Sequence, residues 1–288
     1  MRLNPFDPSN IRVSEGGGSF FPGGGGGKIG CGTLVIALIG AVVFGVDPGQ
    51  MIGAIEGTQQ VGPVQGRPAS TDAQTICTRN AYANESCNAL DSLNRTWEPL
   101  FRQANISFQQ PTLNFYQGGT QSGCGAAQSA MGPFYCPADQ GIYIDTSFYE
   151  ELARDLGAQG DFARYYVMAH EYGHHVQHLT GLAGQVRSAQ QQNPSRANEL
   201  QVRMELQADC YAGVWAGHNR DLIEPGDLQE GLTAASAIGD DTLQRSAGRQ
   251  VAPESFTHGS SAQRMKWLRR GLETGNDEAC DTFADLTR

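Results

Sequence analysis

The chain has 288 residues, 17% of them charged, and a formal net charge of -10. That length allows one substantial domain with an appendage and argues against several large ones. Lys28 and Lys266 are the only lysines, so no basic stripe can neutralise a run of phosphates, and nucleic acid is not an expected partner.

Residues 1–27 carry the glycine runs Gly16 to Gly18 and Gly23 to Gly27 and little apolar surface. Such a segment cannot offset its chain entropy, and it reads as a disordered tail. Ile29 to Val46 is an uncharged, apolar run of 18 residues closed by Lys28 and Asp47, which just reaches membrane-spanning length. A buried core helix would show a polar stripe, and nothing here is more polar than Thr33. A cleaved signal peptide would start earlier and end in a small-x-small site. One transmembrane helix over 28–47, a retained signal anchor, is therefore expected. Arg2, Arg12 and Lys28 precede the run and the next positive residue is Arg67, so the bias puts the N-terminus in the cytoplasm and the large domain outside. Residues 48–68 read as a linker and 69–288 as the globular domain.

Beyond the apolar run lie six cysteines, an even number that suits an oxidising compartment. Proximity suggests Cys77 with Cys87, Cys124 with Cys136, and Cys210 with Cys280, out of the 15 connectivities that six cysteines allow. Buried free thiols are the alternative. Cys31 has no lipobox before it and is not expected to carry lipid.

Gln128 to Asp145 alternates turn residues with short aromatic and β-branched runs, which suggests a hairpin. From Asp161 to Leu179, Phe162, Tyr166, Val167, His170 and His174 share one face at helical spacing, with Gly181 as a stop signal. His170 and His174 are i and i+4, so their imidazoles can meet at one point, as tetrahedral zinc requires. Glu171, one position on, is turned about 100 degrees around the axis and can reach a water in the open metal position. Gln177 and Thr180 stand where extended-class metallopeptidases place a glycine and a third histidine, so that class is excluded.

A third ligand is available on the next helical stretch, Asn198 to Ala216. Glu205 and Asp209 are again i and i+4, which gives Glu205 as ligand and Asp209 as hydrogen-bond acceptor for a ligating imidazole. Ala208, Ala212 and Gly213 would let the two helices approach closely. A solvated acidic face is the alternative. Asp227 to Gln244 reads as one more amphipathic helix, with Asp227 and Glu230 as a capping box and no chemistry assigned to Asp240 and Asp241. His175, His178 and His218 read as structural, and Thr257 and Ser260 as caps of a helix that follows His258.

The segments His-Glu-Tyr-Gly-His at 170–174, Glu-Leu-Gln-Ala-Asp at 205–209 and Phe-Thr-His-Gly-Ser-Ser-Ala-Gln-Arg at 256–264 resemble the bacterial neutral zinc metallopeptidase family of the glutamate-zincin group. The resemblance implies an α+β, zincin-like, predominantly helical catalytic domain with a small antiparallel sheet and one catalytic Zn2+. His170, His174 and Glu205 match the ligands, Glu171 the general base and Asp209 the outer acceptor. His258 matches a position that faces the reaction centre, where it could donate to a developing oxyanion. In zincins a strand ahead of the metal helix offers its edge to an extended peptide, and Ile142, Tyr143 and Ile144 are the candidate edge, with an ordinary core strand as the alternative.

The expected activity is thus hydrolysis of a peptide or protein substrate by metal-activated water, with Glu171 moving its proton. Its expected setting is the outer side of a bacterial cytoplasmic membrane, as a single-pass protein. The rival reading is a non-catalytic envelope module, whose structural zinc would be closed by a fourth protein ligand.

Overall fold

The computed structural model describes residues 1–16 and 72–284. Asp7 accepts the Ser9 N–H and starts a 3-10 turn at Pro8–Asn10, after which Arg12–Gly16 runs extended as β1. The short helix α1, Ala73–Cys77, begins at the Asp72 cap, and α2, Ala81–Gln103, begins at the Asn80 cap. Ala83, Leu90, Leu93, Trp97 and Phe101 recur at helical spacing along α2 and are buried in the main core.

The six short strands among the described residues include β2, Thr112–Tyr116, β3, Gly119–Ser122, and β4, Gly125–Gln128. They also include β5, Phe134–Cys136, and β6, Gly141–Asp145. The main sheet has the order β1-β2-β6-β5, with β1, β2 and β6 parallel and β5 antiparallel to β6. β3 and β4 form a separate hairpin.

Helices follow as α3, Ser147–Arg154, α4, Asp161–Leu179, α5, Leu182–Gln192, and α6, Ala197–His218. The last three are α7, Asp227–Ala237, α8, Asp240–Ser246, and α9, Ser261–Thr274. Ser260 caps α9 in a capping box with Gln263. Buried residues of α4, α6, α7 and α9 complete the core. Small residues set the helix spacing: a Cβ at Gly271 of α9 would run into the Cys210 carbonyl of α6. The three disulfides pair as proximity suggests. They tie α1 to α2, the β3–β4 turn to β5, and α6 to the C-terminal turn Asp277–Cys280.

Several expectations are corrected. The fold is α+β and mostly helical, but the main sheet is mixed rather than antiparallel. Residues 1–16 are folded: β1 pairs with β2, and the Met1 amine lies 2.9 Å from Asp161 and 2.7 Å from Asp227. The supposed anchor, 28–47, and the linker, 48–68, lie outside the described residues. No helix among those described is long and apolar enough to cross a membrane, which leaves the expected transmembrane helix without support among them. The expected arrangement also fails on connectivity, because a single crossing cannot put Arg12–Gly16 on one side while Thr112–Tyr116, its hydrogen-bonded neighbour, is on the other.

The helix expected over 227–244 is two helices, broken at Gly239, whose position against Ser261 leaves no room for a side chain. Asp227 and Glu230 form no capping box: Asp227 holds the Met1 amine, and Glu230 accepts the Phe162 N–H at the start of α4. Ile142, Tyr143 and Ile144 are not a free edge either, since β6 is paired on both sides and buried throughout. The edge strand beside the metal helix is β5.

Candidate active site

Two helices build the site. α4 and α6 cross where Gly173 meets Ala208, so close that a Cβ at 173 would lie 2.9 Å from the Ala208 Cα. This contact lets a short glutamate on α6 reach the histidines of α4. His170 Nε2 lies 3.2 Å and His174 Nε2 3.5 Å from the same oxygen, Glu205 Oε2. The two rings are nearly perpendicular, at 87°, with centroids 4.9 Å apart. The three donors converge as their spacing predicts, and among the described residues no fourth His, Cys, Asp or Glu joins them.

Each donor is oriented from behind. His170 Nδ1 donates to Asp209 Oδ1 at 2.8 Å, which leaves Nε2 for the centre. Asp209 also accepts from the Tyr166 hydroxyl and, through both oxygens, from Arg264. His174 Nδ1 donates to Gln177 Oε1 at 3.0 Å, and Gln201 Nε2 donates to the second oxygen of Glu205 at 2.8 Å.

The electrostatics favour a bound cation. Burial works against a charged His170, yet Asp209 and Glu205 raise its pKa to about 9. Burial alone would raise Glu205, but His174 and His170 hold it well below the usual carboxylate range. Asp209 is likewise held at about 2 against burial, chiefly by Arg264. Two imidazole nitrogens and a carboxylate oxygen, with oxygen acceptors behind them, form a donor set that fits Zn2+.

These ligands stand on the wall of a cleft of about 220 Å³. Glu171 lines it too, and burial raises its pKa. Its carboxylate has no hydrogen-bond partner among the described residues. Pro133, Phe134 and Tyr135 of the β5 segment line the cleft as well. His258 also faces it, held by Asp240, whose Oδ1 is 3.2 Å from His258 Nδ1. The other Asp240 oxygen accepts the backbone N–H groups of Thr257, His258 and Gly259, which fixes the loop before α9.

Of the histidines read as structural, His175 is buried between the Tyr135 hydroxyl and the Gln109 carbonyl, whereas His178 lines the cleft. His218 is exposed at the end of α6. Sequence reasoning missed the parts of Gln177, Gln201, Asp240 and Arg264. Helical spacing could have found two of them, since Gln177 is three residues after His174 and Gln201 four before Glu205. Asp240 and Arg264 reach their partners only through the tertiary fold.

Residues 7–283 match the family described as "Putative neutral zinc metallopeptidase". The chain is similar to the uncharacterized protein YpfJ of Escherichia coli K12, 44% identical over 94% of this chain and 91% of that one. It is also similar to the uncharacterized protein Rv2575 of Mycobacterium tuberculosis, 40% identical over 85% of this chain and 86% of the relative. No solved structure matches.

Proposed function

Since the chain belongs to the neutral zinc metallopeptidase family, we propose that it is a zinc-dependent endopeptidase that uses Glu171 as general base. The observation that carries this reading is the open donor set: three converging ligands on a cleft wall beside an unengaged carboxylate. A structural site is closed by a fourth ligand and has no use for such a group.

Zn2+ bound by His170, His174 and Glu205 would supply a Lewis acid and a water acidic enough to be deprotonated near neutral pH. Glu171 is suited to take that proton and pass it to the leaving amine, because burial moves its pKa up toward the working range. His258 can steady negative charge that develops on the scissile carbonyl. Asp240, 3.2 Å from Nδ1, orients the ring and leaves Nε2 for the cleft. The side of β5 that has no strand partner among the described residues offers backbone groups to an extended peptide. That edge is only three residues long, between Pro133 and Pro137, so strand pairing would engage a short stretch of substrate. The three disulfides support action in an oxidising compartment outside the cytoplasm.

The test is Glu171→Gln, which keeps shape but removes the base. Casein or peptide-library cleavage should fall by about a hundredfold or more while zinc content and folding persist. Equal activity in both zinc-loaded proteins would overturn the assignment and favour the scaffold reading.

A further inference from the structure

We propose that Gln177 is a positioning residue of the metal centre, which fixes His174 through an amide chain whose direction is set by two backbone carbonyls. The inference rests on the reading of His170, His174 and Glu205 as ligands. Gln177 is fully buried, and its amide nitrogen donates to the Met204 carbonyl at 2.8 Å and to Gln207 Oε1 at 3.0 Å. Gln207 in turn donates through its own nitrogen to the Cys280 carbonyl at 3.2 Å.

The chain has one consistent direction. A carbonyl can only accept, so the Met204 and Cys280 carbonyls each demand an NH2 group. Gln207 then has only its oxygen to offer Gln177, and Gln177 must face both Met204 and Gln207 with its nitrogen. Its oxygen is left for His174. Flipping Gln177 would set oxygen against the Met204 carbonyl and NH2 against His174 Nδ1–H, with three hydrogen-bond partners lost at once. His174 is thereby held with the proton on Nδ1 and the lone pair of Nε2 toward Glu205.

The far end of the chain is not free to drift. Cys280 is bonded to Cys210, on the same helix as Glu205, and the next residues are tied down by mutual bonds between Arg203 and Thr282. His170 is oriented by an ionised carboxylate, whereas His174 is oriented by a neutral amide, which adds no further negative charge to the site. The family motif around 170–174 says nothing of this partner, because Gln177 falls outside it.

The experiment measures zinc affinity on the whole chain by competition with a chromophoric chelator, for wild type, Gln177→Met, Gln207→Met and the double variant. Methionine keeps similar bulk without the amide. Gln177→Met should weaken zinc binding by about tenfold or more, in line with loss of an outer partner of a ligating histidine. Gln207→Met should weaken it less, and the double variant should bind no more weakly than Gln177→Met, because Gln207 acts only through Gln177. The Co2+-loaded protein should show the same order in its visible absorption. Thermal unfolding of the metal-free variants separates lost stability from lost orientation. If Gln177→Met does not fold, Gln207→Met decides alone, with a severalfold loss expected and an unchanged affinity overturning the proposal. Gln177→Met binding within twofold of wild type, or a full additional loss in the double variant, would overturn it too. A wild type that takes up no zinc would instead overturn the ligand reading itself, and the inference with it.

Discussion

Gly173→Ala tests whether the contact between α4 and α6 sets the metal geometry. Two effects oppose each other. Alanine is the better helix former by about 1 kcal/mol, so on propensity alone the change should stabilise α4. Its Cβ, however, would lie 2.9 Å from the Ala208 Cα, 3.0 Å from its carbonyl oxygen and 3.1 Å from its Cβ. Carbon atoms rest at about 3.5–4.0 Å, so the helices must part by roughly 0.5–1 Å. Both sides of the contact involve backbone or a rigid methyl group, which leaves no flexible side chain to swing away. Overpacking of this kind costs about 1–3 kcal/mol, which outweighs or cancels the propensity gain. The effect on the metal is less equivocal. Ligand distances tolerate only about 0.2 Å, and Glu205 sits three residues before Ala208, so it withdraws with α6 from the two histidines. Zinc affinity should fall at least about tenfold, while metal-free stability falls by no more than about 2 kcal/mol, or a few degrees in Tm for a domain this size. The assays are chelator competition and thermal melts with and without EDTA. A Gly173→Ala protein that is more stable and binds zinc as tightly as wild type would refute the reasoning.

Further outcomes follow from other contacts. Asp240→Asn should lower turnover by on the order of ten- to a hundredfold with zinc content unchanged, because His258 loses the carboxylate that orients its ring; steady-state kinetics beside metal analysis checks this. Arg264→Met leaves Asp209 buried without its cation and should cost about 3–5 kcal/mol, read by urea unfolding. Asp209 titrates at about 2 in the fold, below its ordinary 3.8, so its contribution is present above pH 3.8 and is lost as pH falls toward 2. His175 is lowered to about 4 by burial, so it contributes stability above pH 6.5 that is lost as pH falls through 4. Melts of His175→Gln should show a smaller loss across that window than wild type.

The two-helix metal site was legible because each half of it is local. His170 with His174 and Glu205 with Asp209 are i, i+4 pairs, and one helical turn is enough to put each pair on one face. The disulfides were legible for a similar reason in two cases, with sequence separations of 10 and 12. What escaped depends on long-range packing. β1 is a half-exposed edge with Val13 its only buried residue, and it runs straight into a glycine run, so no period-2 signal marks it. Asp240 meets His258 only because the chain breaks at Gly239 and folds back under Ser261. Of the two readings of Ile142 to Ile144, edge or ordinary core strand, the residue pattern favours the core strand that the fold shows. Gly-Ile-Tyr-Ile-Asp is an unbroken apolar run between its ends, and such a run marks an interior strand more often than a half-exposed one.

The choice between peptidase and scaffold comes down to what Glu171 does to the fold. The residue is 9% exposed and lines the cleft, and its carboxylate has no hydrogen-bond partner among the described residues. Burial raises its pKa, so the fold disfavours the ionised carboxylate and gives it no hydrogen-bond partner among the described residues in return. Its neighbours on α4 are handled differently. Tyr166, Tyr172 and His175 each have a hydrogen-bond partner, which shows that this helix can satisfy buried polar groups where its packing allows. A scaffold would lose nothing by having an apolar residue at 171, since three ligands, Asp209 and Arg264 already hold α4, α6 and α9 together. That placement is accounted for if something in the cleft uses the carboxylate. A metal-activated water on the face shared by His170, His174 and Glu205 is the partner that its position suits.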